Sequence, residues 1–165
     1  PWFAAISLTE LFSQKLGYSG ELGVEMTLMA EASALNIEMR YLETALEQIE
    51  MFATVPEADE IALLVQTARQ ISEEPDMLDT IVAAWAKGDV EGIAAIMASE
   101  EAFGSEFLTE MLLTNRNKNW TEQIIALMED EAGTFLMAVG AAHLAGDDSV
   151  QAMLAQQGVT VTRMP

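Results

Sequence analysis

The sequence predicts an α/β fold: a largely helical chain carrying a small parallel sheet of about three strands. Three observations predict it. Most of the chain places apolar residues at helical spacing, whereas three short stretches alternate or run apolar with β-forming residues. The last two of these stretches flank one helix, the order of a parallel crossover unit, and such a unit needs a sheet covered on both faces. At 165 residues and 51% hydrophobic, the chain can bury one sizeable core, so a single domain over 1–165 is expected.

The elements follow in order. Ser7-Leu8-Thr9-Glu10 has the form of a capping box for a short first helix that Gly17 ends. Val24, Leu28, Ala32 and Leu35 make one stripe of a second helix from Gly23 to Leu35, closed by Asn36. Ile37 to Leu42 alternates apolar with polar residues and reads as the first strand, and a helix from Thr44 to Phe52 follows. From Pro56 to Ala102 the pattern is helical, broken at Pro75 and at Gly88-Asp89, with stripes through Ile61, Leu64, Val65, Ala68 and Ile71 and through Leu78, Ile81, Val82 and Trp85. Phe103-Gly104-Ser105 interrupts again, and Ser105 caps a long helix reaching Glu129. The apolar run that begins at Thr134 reads as the second strand and delivers His143 at its carboxyl end. A helix from Ser149 to Gln156 and a third strand around Val159 to Arg163 complete the chain.

Seven basic residues against 27 acidic ones give a formal net charge of -20, a field that repels nucleic-acid backbones and anionic lipid. Nucleic acid is excluded as an expected partner. No run of eighteen apolar residues exists, so no segment here inserts in a membrane. Without cysteine, disulfides and thiolate metal sites are ruled out. There is no nucleophile elbow, phosphate-binding glycine loop, paired-histidine zinc motif or dinucleotide fingerprint.

Three residues remain as candidates. His143 is the one histidine in the chain, and ligands of open α/β sheets bind at the carboxyl edge where the pattern puts it. Glu43 follows the first strand directly, the same kind of place; an imidazole and a carboxylate meeting there would make a hard-metal site or a general acid/base pair. Glu43 reads equally as a carboxylate favouring a helix amino terminus. Arg116 lies four residues before Trp120 and three after Leu113, on a face that ought to point inward, so it either meets an anionic or carbonyl partner or snorkels to the surface. Asp147 and Asp148 most simply cap the helix after His143.

Read in order, Pro1-Trp2-Phe3, Leu16-Gly17-Tyr18 with Gly23-Val24-Glu25, Leu42-Glu43-Thr44-Ala45-Leu46-Glu47-Gln48, Arg116-Asn117 with Trp120, Gly140-Ala141-Ala142-His143, and Gly158-Val159-Thr160-Val161 make a set. The chain resembles the carboxyl-terminal half of the TraB/GumN family, which includes the Tiki proteins. The resemblance implies two glycine-x-x-histidine motifs, a glutamate and an arginine around one site, with metal-dependent proteolysis in Tiki members and limitation of peptide pheromones in TraB-like ones. Carried onto this sequence, His143 is the second motif's histidine and a metal ligand, Glu43 is the glutamate that ligates or activates water, and Arg116 is the arginine. Glu25 stands where the family often has aspartate, which leaves any direct role for it open. The first glycine-x-x-histidine is not in this sequence, so the resemblance implies a longer parent whose amino-terminal half completes both sheet and site, or else self-association of this chain.

The expected function is therefore part of a metal-dependent, peptidase-like hydrolase, using manganese, cobalt or zinc on a peptide or other small substrate. The alternative is a non-catalytic protein that sequesters a peptide or metal complex, and a third reading makes His143 and Arg116 structural. An exported or envelope location is implied by the resemblance alone.

Overall fold

The computed structural model describes residues 1–99 and 102–164. It corrects the expected fold class: among the described residues there is no strand and no sheet, and the architecture is all-α, with nine α-helices. The three stretches expected as strands, 37–42, the run from 134, and 159–163, lie outside the α-helices, and no backbone ladder joins them among the described residues. The physical reason is that alternation and β-propensity specify an extended backbone, whereas a strand exists only where a second segment takes up its N–H and C=O groups. Without one, the run from 134 leaves Leu136 79% exposed.

The chain divides into two compact units, 1–74 and 75–165. The first holds α1 (Trp2–Lys15), α2 (Val24–Ala34), α3 (Ala45–Ala53) and α4 (Glu57–Glu73). Helix α1 begins at Trp2, five residues before the expected cap; Ser7 Oγ instead donates back to the Phe3 carbonyl one turn earlier. Its carboxyl end is legible in sequence: Gly17 takes a φ of 93°, and the Tyr18 N–H reaches the Ser13 carbonyl, closing the helix with a left-handed residue that glycine adopts without strain. Helix α1 packs on α4, and Trp2 stacks on Phe52 at 5.1 Å.

Thr44 starts α3 with a capping box. Its hydroxyl accepts the Glu47 N–H at 3.2 Å, while the Glu47 carboxylate accepts the Thr44 N–H at 2.7 Å. These bonds from the Thr44 backbone and hydroxyl hold the Glu47 carboxyl below its ordinary range. A lowered carboxylate stabilises the fold above its unfolded pKa, and that contribution is lost as pH falls through the folded value. Acid is therefore expected to fray α3 below the usual glutamate range, seen as loss of the Thr44 amide's hydrogen-bonded shift in NMR. Thr44→Ala should weaken the helix by about 1 kcal/mol at neutral pH and only reduce that acid transition, because the backbone bond to the Glu47 carboxylate, the larger contribution, survives; Glu47→Gln should abolish it, and an unchanged transition there would refute the assignment.

The second unit holds α5 (Met77–Lys87), α6 (Val90–Met97), α7 (Glu106–Thr109), α8 (Asn115–Asp130) and α9 (Val150–Gln156). The stops expected at Pro75, Gly88-Asp89 and Gly104 are present, and Asp89 and Ser105 accept from the Gly92 and Leu108 amides as caps. The helical run expected through Ala102 ends as α6 at Met97, and residues 100 and 101 of that run lie outside the described residues. Helix α8 packs on α9, and α6 meets a 3-10 turn over Ala141–Leu144. The core of this unit is Ile93, Leu108, Met111, Trp120, Ile124 and Val150.

The long helix expected from Ser105 is present but not uniform. Between α7 and α8, Glu110–Thr114 forms a π turn, in which the Asn115 N–H bonds the Glu110 carbonyl five residues back. Leu108 and Trp120 are 12 residues apart, which on an uninterrupted α-helix sets them about 120° apart. The π turn absorbs one residue, returning about 100° of that angle. Both side chains therefore enter the same core.

Candidate functional site

Arg116 and His143, singled out from the sequence, come together in the second unit. His143 sits in the 3-10 turn Ala141–Leu144, closed by its own N–H on the Gly140 carbonyl at 2.9 Å. It is thus presented by a tight turn, and not by the end of a strand. Gly146, at φ 83°, then redirects the chain toward Ser149 and α9. Ser149 occupies the cap position of α9, so neither Asp147 nor Asp148 caps that helix; Asp148 serves the site through its main chain instead.

The imidazole is buried against α8. Its ring lies 4.4 Å from the Trp120 ring, and the Arg116 guanidinium carbon stands 4.8 Å over that same indole. Arg116 Nη1 donates to the Leu112 carbonyl at 3.2 Å, one turn back in the π segment, and lies 3.4 Å from His143 Nε2. The two readings of Arg116 are thereby decided. It is half-buried and turned inward, with an aromatic face, a carbonyl and an imidazole as its partners.

On the other side of the ring, His143 Nδ1 is 2.6 Å from Asn117 Oδ1, and Asn117 Nδ2 donates to the Asp148 carbonyl at 2.8 Å. Asn117 is the residue whose part sequence reasoning missed. It stood beside Arg116 in a quoted motif without a role, and the signal that marks it, a polar side chain on the buried face of an amphipathic helix, was available in the spacing from Trp120. Trp120 Nε1 is buried with no hydrogen-bond partner among the described residues.

Glu43, the third candidate, belongs to the first unit, one residue before the Thr44 cap, where its carboxylate accepts from Gln48 Nε2 at 3.4 Å. The capping carboxylate of that helix is Glu47. Among the described residues no group of three or more histidine, aspartate or glutamate side chains converges as a metal ion would require. Among the described residues of the second unit, the groups set against His143 do not make up a complete divalent-metal centre. No helix among the described residues is long and apolar enough to cross a membrane.

Comparison with known proteins gives this arrangement a context. A protein of Escherichia coli strain K12 named Uncharacterized protein YbaP is 27% identical over 153 residues, covering 93% of this chain and 55% of its own length, and its Shigella flexneri counterpart matches equally. A protein named Metalloprotease TIKI homolog, from Amphimedon queenslandica, is 33% identical over 73 residues, 41% of this chain and 14% of that protein. The chain thus spans about half the length of the bacterial relatives it matches. No solved structure matches it. The TraB/PrgY/gumN family profile matches residues 1–163, so a helical chain that holds a histidine and an arginine against one tryptophan belongs to the TraB/PrgY/gumN family.

Proposed function

We propose that this chain is part of a peptidase-like hydrolase, and that Arg116 and His143 form its working pair. One observation carries the reading: a buried imidazole with its two nitrogens in different company, an amide oxygen at 2.6 Å from Nδ1 and a guanidinium at 3.4 Å from Nε2. A fixed imidazole beside a fixed cation is suited to handling a proton where negative charge develops, as on a carbonyl oxygen under attack. Arg116 would bind a substrate carboxylate or that developing charge, and His143 Nε2 would accept a proton or ligate a cation. Membership of the family and the likeness to a protein named a metalloprotease support hydrolysis as the class.

A divalent cation, manganese, cobalt or zinc, would supply Lewis-acid chemistry at such a site. These residues would give it at most the His143 imidazole. Groups contributed by further sequence or a second copy would have to provide the other ligands. A second reading is sequestration of a peptide without turnover, in which the Arg116 guanidinium would receive an anion with no metal at all.

The test is calorimetric titration of the full-length protein with Mn²⁺, Co²⁺ and Zn²⁺, alongside a peptide-library cleavage assay. Turnover that needs metal and falls by about 100-fold or more in His143→Gln and in Arg116→Ala, each with unchanged thermal unfolding, is the expected result; such losses are usual for groups acting on the transition state. Metal binding without turnover would favour sequestration. Full activity in both variants would sink the assignment of the pair.

A further inference from the structure

Asn117 carries a directional constraint that burial alone does not require. A primary amide has one end that only accepts and one that only donates. Its Nδ2 end donates to the Asp148 main-chain carbonyl at 2.8 Å, a group that can only accept. Its Oδ1 end therefore faces His143 Nδ1, at 2.6 Å, and requires a proton on that nitrogen. In the neutral imidazole the lone pair then lies on Nε2, and there the neighbour is Arg116 Nη1, a group that can only donate. Four groups from two segments agree on one direction. Turning the amide over would set carbonyl against carbonyl at Asp148 and donor against donor at the ring.

We propose that Asn117 is a positioning residue that locks His143 in the Nδ1–H tautomer, so that Nε2 carries the ring's lone pair. Asp148 acts through its carbonyl as the fixed end of the relay. An amide, unlike a carboxylate, orients the ring without adding charge, which preserves a neutral Nε2 beside Arg116. A second partner that fixes ring and tautomer is the usual means by which a ligating or proton-accepting histidine is tuned. The tautomer assignment stands on the hydrogen bonds alone; its use toward a cation rests on the function proposed above.

His143 is the one histidine of the chain, so a long-range proton–nitrogen correlation spectrum of uniformly ¹⁵N-labelled protein, recorded above the imidazole titration, reports its tautomer without assignment. The wild type is expected to show Nδ1–H. Asn117→Leu should shift the ring toward Nε2–H, the form free imidazole favours in water. An Nε2–H wild type overturns the proposal by itself, whether or not Asn117→Leu folds, and so does a folded Asn117→Leu with an unchanged spectrum. Zn²⁺ alone, titrated into the same samples, should bind the leucine variant about 10–100-fold more weakly than the wild type. Should Zn²⁺ fail to bind the wild type, the metal reading falls and the tautomer spectrum still decides the proposal.

Discussion

Trp120→Ala is expected to destabilise the second unit by about 3–5 kcal/mol, the range for truncating a buried aromatic side chain. Trp120 is 4% exposed and forms the floor of the cluster, with the His143 ring on it at 4.4 Å and the Arg116 guanidinium over it at 4.8 Å. Removing the indole opens a cavity and also deprives the guanidinium of its aromatic face, so stability and geometry should fail together. Trp120→Phe separates the two. It keeps a ring beneath Arg116 and His143, and because Nε1 is buried without a hydrogen-bond partner among the described residues, loss of that N–H removes an unsatisfied donor instead of breaking a bond. Denaturant unfolding of both variants is the measurement. An alanine variant within about 1 kcal/mol of wild type, well below the cost of emptying so large a buried site, would contradict the packing described.

Inserting one residue into the π turn, an alanine after Leu113 for instance, is expected to be as damaging while leaving every site residue in the chain. The π turn takes up only one residue, so an added one restores the full α-helical offset and Leu108 and Trp120 swing apart by about 100°. One of two outcomes follows: Leu108, now fully buried, leaves the core at a cost of about 2–5 kcal/mol, or α8 turns Arg116 and Asn117 away from His143. Deleting Leu113 instead removes a half-buried side chain but leaves Leu108 and Trp120 about 20° apart on a continuous α-helix, and should cost markedly less. Comparing the two by denaturant unfolding and by the His143 imidazole signals isolates register from side chain. Equal effects would show that the π turn does not set the register.

What the sequence made legible was what local chemistry decides. Pro75, Gly88-Asp89, Asn36, Thr44 and Ser105 marked helix ends because caps and breakers act within one turn. The Ser7 cap was misplaced because a serine inside a helix can satisfy its hydroxyl on the carbonyl four residues back, as it does with Phe3. The strands failed for a different reason: 37–42, the run from 134, and 159–163 have the composition of strands, but pairing is a property of two segments and the pattern of one cannot reveal it. The π turn was hidden because one residue of register leaves no mark on composition, although the mismatch between Leu108 and Trp120 on an ideal helix could have exposed it. Arg116 and His143 were found, and their meeting came only from the family resemblance, since spacing cannot relate residues 27 positions apart.

That separation has a kinetic meaning. The hydrogen bonds described at the cluster join α8 or its preceding turn to residues no more than 31 positions away. Closing a loop of this size takes little chain entropy, each doubling of length adding only about 0.6 kcal/mol, and contacts of short range form early in folding. The same closure that docks α9 on α8 assembles the imidazole, the amide and the guanidinium. The order of the site during folding and unfolding is thus the order of that helix pair, and hydrogen exchange at the α8 amides should report both at once.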